Sequence, residues 1–120
     1  MKRIYRLRRP DQFQRVRRHG RSWAHPLLTL TSAVSRRRQT RCGIVVAKRI
    51  GNAVVRNRAK RRVREALRLV FAHIAPGIDL IIVVRSPDVA TIPFLTLQAT
   101  VEQLLRQAKL WREPVATRLT

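Results

Sequence analysis

From Leu27 to Val34 apolar residues alternate with small polar ones, the two-residue period of a half-buried strand. Gly43 to Ala47 is a second apolar run of strand length. Asp79 to Arg85 is continuous and apolar inside, which predicts a central strand buried on both faces. Val55, Ala59, Val63, Ala66, Leu67 and Val70 recur at helical spacing and predict a helix from about Asn52 to Phe71. Leu97, Val101, Leu104, Leu105 and Ala108 keep the same period, so Thr91-Ile-Pro93 opens a helix that runs to about Trp111. Pro10 to Gly20 reads as a short first helix. Proline suits the first helical position, Asp11 suits the positive end of the helix dipole, and Gly20 can stop the helix. Ser35 to Arg41 reads as the loop of a hairpin, and Pro76-Gly77 and Ser86-Pro-Asp88 read as breaks. The order is α-β-β-α-β-α with room for one more short strand. That order predicts an α+β domain with helices packed on a small sheet.

No repeat or linker divides the chain, so residues 1–120 form one domain, with a basic arm over about 1–6 and a frayed tail over about 112–120. The apolar share of 45% is enough for a modest core. Charge changes the picture more. Lys plus Arg is 27 and Asp plus Glu is 6, a net +21. Such self-repulsion is relieved by a dense polyanion, and counterion release then drives binding. Arginine outnumbers lysine, which favours bidentate phosphate contacts and base stacking. The longest apolar stretch, Ile78 to Val84 around Asp79, is far too short to span a bilayer. Arg3, Arg6, Arg8 and Arg9 interrupt any secretory core near the first Met. A single cysteine, Cys42, forms no intrachain disulfide and suits a reducing cytoplasm. It reads as a small packing residue.

The supply of catalytic groups is thin. Asp11, Glu65, Asp79, Asp88, Glu102 and Glu113 form no close pair in sequence, which disfavours a two-metal nuclease. His19, His25 and His73 are scattered, and one cysteine offers no zinc spacing. Gly51-Asn52 lacks the spacing of a phosphate loop. The chain therefore reads as a binding protein that serves a reaction carried by another molecule. The long central helix supplies the binding chemistry. Asn57, Arg58, Arg61, Arg64, Glu65 and Arg68 oppose its apolar face, and Arg56, Lys60 and Arg62 flank the two edges. Asn57, Arg61, Arg64 and Arg68 stand in one stripe that can follow phosphates along a groove. Asn57 can donate and accept, which suits a base edge, a 2′-hydroxyl or water on an RNA-bound metal. A merely solvated face would mix signs freely, and on this one Glu65 is the single acid. A strand before the basic helix argues against a helix-turn-helix DNA reader. Phe13, on the same side as Val16, reads from spacing as core. Tyr5, Trp23 and Trp111 read as packing residues or rims of an RNA surface.

The run Lys48-Arg-Ile-Gly51-Asn52-Ala-Val-Val-Arg56-Asn57-Arg58-Ala-Lys60-Arg61-Arg62-Val-Arg64-Glu65 resembles the signature of the bacterial ribonuclease P protein subunit. Asp11, Phe13 and Gly20, the hairpin before Gly43 and the strand ending at Arg85 fall where that family is expected to have them, over about residues 7–110. The resemblance implies a fold like the second domain of ribosomal protein S5, an α-β-β-β-α-β-α sandwich with a left-handed βαβ crossover. It implies a non-catalytic subunit of an endoribonuclease whose RNA subunit, using Mg²⁺, removes the 5′ leader of precursor tRNA. Arg56, Asn57, Arg58, Lys60, Arg61 and Arg64 match the family's RNA-binding motif, Lys48 and Arg49 would line the sheet side near its cleft, and Asn52, Arg62 and Arg68 complete the expected RNA-binding set. The resemblance places Phe13, Arg17 and Lys48 at the leader, and Asn57 near an RNA-bound Mg²⁺, with no metal held by the protein alone. The implied partners are the catalytic RNA and precursor tRNA, in the cytoplasm, with no DNA, membrane or obligate protein partner. Arg17 stands where the family often has a second aromatic, and Thr29 and Thr31 where a strand aromatic stands, so charge takes more of the leader contact here. The runner-up is a structural or ribosomal RNA-binding protein of the same fold.

Overall fold

In the computed structural model, residues 5–113 are described. The expected arm and tail therefore fall largely outside the described residues. Three helices and four strands follow in the order α1 (Pro10–His19), β1 (Arg21–Ala24), β2 (Leu28–Val34), β3 (Arg41–Val46), α2 (Ala53–Val70), β4 (Ile78–Val84) and α3 (Phe94–Gln107). The short extra strand is β1. Short 3-10 turns at Lys48–Ile50, Phe71–His73 and Pro87–Ala90 join the larger elements.

The sheet order is β1-β2-β4-β3. This corrects the hairpin expected around Ser35 to Arg41. Strands β2 and β3 do not pair, because β4 lies between them, antiparallel to β2 and parallel to β3. The reason is hydrophobic. The most apolar strand takes the centre, where Leu80, Ile81 and Ile82 are fully buried from both sides. Alternation then divides the side chains. Leu28, Leu30, Leu80, Ile82 and Val84 face α2 and α3 and build the larger core with Val63, Leu67, Leu97, Val101 and Leu104. Ala33 and Ile81 face α1 and bury Leu7 and Val16, with Phe13, Val45 and Val83 half-covered beside them. Each large side chain fully buried this way contributes about 1.5–3 kcal/mol.

The helices start as the sequence chemistry requires. Asn52 caps α2, its side chain accepting from the Val55 N–H at 3.0 Å. At α1 the Gln12 side chain accepts from the Arg8 and Arg9 N–H groups at 2.9 and 3.1 Å. One buried acid joins the smaller layer. Asp79 is 1% exposed and accepts two hydrogen bonds from Arg41 of β3, at 3.0 and 2.9 Å. It also accepts one from Arg15 of α1, at 3.4 Å. This bidentate pair raises the Arg41 pKa further above its ordinary value.

Candidate nucleic-acid interface

Strand β3 is an edge strand, and the chain before α1 covers only part of it. Arg6 bridges to Cys42, and the Leu7 N–H donates to the Cys42 carbonyl at 2.9 Å. Beyond that contact a groove opens between α1, β3 and α2. One part is a cavity of about 350 Å³ lined by Arg6, Leu7, Arg8, Phe13, Cys42, Gly43, Ile44, Lys60 and Arg64. Its continuation adds Arg17, Val45 and Val46, and the two share Arg8, Phe13, Ile44 and Lys60. The floor is apolar and the rim is cationic, with no carboxylate in the lining. An apolar floor suits base faces, and a cationic rim suits the phosphates that join them. Burial, and then the nearby charge of Arg6, lower the Arg64 pKa. An incoming anion would offset the mutual repulsion of these two guanidiniums.

Phe13 sits in this groove, half-buried, its ring laid on Gly43. A Cβ at residue 43 would stand 2.5 Å from that ring, so the glycine permits the close approach. The spacing argument made Phe13 core and the resemblance made it a contact residue. Its position serves both, with one flank on the small core and the other lining the groove. Arg17 is exposed and lines the groove too. Thr31 does not. It is buried, and its hydroxyl shares a 2.8 Å hydrogen bond with Ser22 of β1.

The expected basic residues of α2 separate by what they touch. Asn57, Arg58, Lys60 and Arg61 are exposed, and none has a protein partner among the described residues. Four others are engaged. Asn52 caps the helix. Arg56 donates to the Gly51 carbonyl at 3.1 Å. Arg62 donates to the carbonyls of Val89, at 2.9 Å, and Ile92, tying the turn after β4 to α2. Arg68 pairs with Glu65 at 2.6 Å, and this bond holds the Glu65 carboxyl below its usual range. Lys48 is exposed on the turn after β3 but lies outside the groove lining. Arg49 lines a separate hollow with His25, Thr29 and Arg85 at the end of the sheet. Arg6 and Arg8 were missed as site residues. Their run of charge reads as an arm, and only the bridge to Cys42 brings them into the groove. Among the described residues no group of three His, Cys, Asp or Glu side chains is placed to hold a metal ion. No helix there is long and apolar enough to cross a membrane.

Comparison with known proteins places this fold and sequence in a family. The family model described as Ribonuclease P matches residues 1–109. The chain belongs to the ribonuclease P protein family. It is 58% identical over 108 residues to the ribonuclease P protein component of Roseiflexus castenholzii, covering 90% of this chain and 88% of that one. The corresponding protein of Chloroflexus aurantiacus is 53% identical over 114 residues, covering 95% and 84%. Among solved structures, the Staphylococcus aureus RNase P protein superposes with a TM-score of 0.80 at 31% identity, covering 90% of this chain and 98% of that one. The Thermotoga maritima RNase P protein gives 0.75 at 28%, covering 84% and 96%. For a ribonuclease P protein, the α-β-β-β-α-β-α order and the parallel β3–β4 pair joined through α2 are those the resemblance implied.

Proposed function

We propose that this chain is the protein subunit of a bacterial ribonuclease P, a single RNA-binding domain that assists a catalytic RNA in removing the 5′ leader of precursor tRNA. The observation that carries the reading is the groove between α1, β3 and α2, apolar below and cationic above, bordered by cations of α2 that have no partner among the described residues. In this reading Asn57, Arg58, Lys60 and Arg61 meet the catalytic RNA. Phe13 and Arg17 hold the single-stranded leader, with Arg8 and Lys60 drawing in its phosphates. Lys48, Arg49, Arg56, Arg64 and Arg68 add positive potential around these contacts, and Asn52 and Arg62 position the helix that bears them. The donor set of the described residues does not fit a protein-held metal, so the Mg²⁺ of the reaction is assigned to the RNA. The assembled particle works in the cytoplasm.

The test is leader-dependent affinity. Holoenzyme built with this chain should bind a precursor carrying several leader nucleotides more tightly than a tRNA with none. Phe13→Ala should erase about 1–3 kcal/mol of that difference, the usual worth of one stacked base. Equal affinity for the two RNAs, with or without Phe13, would point instead to a structural RNA-binding protein.

A further inference from the structure

The β2–β3 connection carries Arg36, Arg37 and Arg38 in succession, all exposed, at the end of the sheet where β4 begins. We propose that this loop is a second RNA-phosphate contact, separate from α2 and from the groove, so that the chain holds two stretches of RNA at once. The inference rests on the reading of the chain as an RNA-binding subunit and adds a surface to it.

Three observations support it. The first is the accounting of charge. Of the six carboxylates, Asp11, Asp79, Glu65 and Glu102 are in ion pairs with other arginines. Glu113 accepts from the Trp111 indole at 3.2 Å, and Asp88 follows β4 at the opposite end of the sheet. None of the three loop guanidiniums has a protein partner among the described residues. Asp79 is buried, and Arg41 and Arg15 take its charge.

The second observation is preorganisation. The Ser35 N–H donates to the Gly77 carbonyl at 2.8 Å, and the Gly77 N–H donates to the Arg38 carbonyl at 2.9 Å. The Ser35 hydroxyl accepts from the Arg37 N–H at 3.0 Å. Thr40 is buried and donates to the Ala75 carbonyl at 2.6 Å. Gly77 has φ +72°, so a glycine suits this clasp. A backbone already pinned loses little freedom when its side chains bind.

The third is position. Helix α2 starts beyond the end of β3 and finishes at the start of β4, and the two strands are parallel. The loop therefore lies at the far end of α2 from Asn57 and Arg58. From Arg58 to the end of α2 at Val70 the helix rises about 18 Å, too far for one phosphate to serve both surfaces. Val34 beside the loop adds one exposed valine, much less apolar surface than insertion into lipid takes.

The experiment compares the full chain with R36A/R37A/R38A and, as reference, R58A/R61A. Affinity is measured against salt in two arms: for a bacterial ribonuclease P RNA transcript alone, and for precursor tRNA on the assembled holoenzyme. Loss of phosphate contacts lowers the slope of log affinity against log salt by about 0.7–0.9 for each phosphate released. The loop variant should lose about one to two units of slope in one arm, and R36K/R37K/R38K should restore it. Loss in the first arm assigns the phosphates to the catalytic RNA, and loss only in the second assigns them to the precursor. An unchanged slope in both arms, with a lowered slope for R58A/R61A, overturns the loop contact and leaves the proposed function standing. Unchanged slopes for both variants overturn both. Loss of binding to phosphatidylglycerol vesicles, with RNA slopes intact, also overturns it in favour of a membrane surface. Melting curves show that the variants fold. If the triple variant melts early, Arg37→Gln alone is measured, with half a unit or more of lost slope expected and no loss overturning the contact.

Discussion

Removing the Asp79 carboxylate, as in Asp79→Ala, should be among the most damaging single changes in this fold. Asp79 is 1% exposed, and its partner Arg41 keeps only 12% of its side-chain surface in water. Arg15 keeps 38% and also donates to the Val34 carbonyl at 2.8 Å, so it can turn to solvent when the acid is gone. Arg41, at 12%, has much less freedom to do so and is left as a largely covered charge without its counter-ion. Breaking a buried pair from one side costs about 3–5 kcal/mol. In a domain of this size that lowers Tm by roughly 12–25 °C. The assay is urea and thermal unfolding, with two-state behaviour checked by two probes. Because the pair is buried, the loss should persist in 1 M salt, where a surface pair is screened. A second variant separates charge from packing. Asp79→Leu with Arg41→Met removes both charges and should recover most of the loss, since an apolar pair of similar volume replaces a buried ion pair at little cost. A loss below about 1 kcal/mol for Asp79→Ala, or no recovery in the double variant, would refute this reasoning.

Other outcomes follow from the same contacts. Gly43→Ala pushes the Phe13 ring away from β3 and should cost about 1–3 kcal/mol, while the double variant with Phe13→Ala should cost less than the two changes summed, as unfolding titrations can check. Arg62→Ala should lower stability with little change in the salt slope of RNA binding, because its guanidinium is held by the Val89 and Ile92 carbonyls; Arg61→Ala should do the reverse, with a slope lower by about one unit. Burial, and then the charge of Asp79, push the Cys42 thiol from its usual 9 up to about 12. The unfolded chain therefore loses that proton first. The thiol's share of stability is intact below pH 9 and declines between pH 9 and about 12, by about 1.4 kcal/mol per pH unit, and Cys42→Ala should flatten that decline in melting curves.

Much of this molecule is legible along the chain, because its elements are long or strongly periodic. The apolar face of α2 emerges as read: Ala59, Val63, Ala66, Leu67 and Val70 are buried, and Val55 is half-buried. Strand β1 escapes the pattern because Arg21 to Ala24 is an edge strand with three of its four residues exposed, so burial imposes no alternation on it. The false hairpin has a different origin. Two apolar runs joined by a polar loop look alike whether they pair or are split by a third strand, and β4 arrives from residues far along the chain. The site divides in the same way. The sign and periodicity of α2 reveal a polyanion surface, because local spacing fixes which residues share a helical face. Which cations stay free depends on distant carbonyls such as Val89 and Ile92, and so on tertiary structure. The same holds for Arg6 and Arg8, which enter the groove through a bridge to a strand more than thirty residues later.

The most direct test of the account is cleavage of a 5′-extended precursor tRNA by a bacterial ribonuclease P RNA at low Mg²⁺, with and without this chain. The account predicts leader release at the mature 5′ end that depends on the protein, and no cleavage by the protein alone. Tight RNA binding without stimulation, or cleavage by the protein in the absence of the RNA, would contradict it.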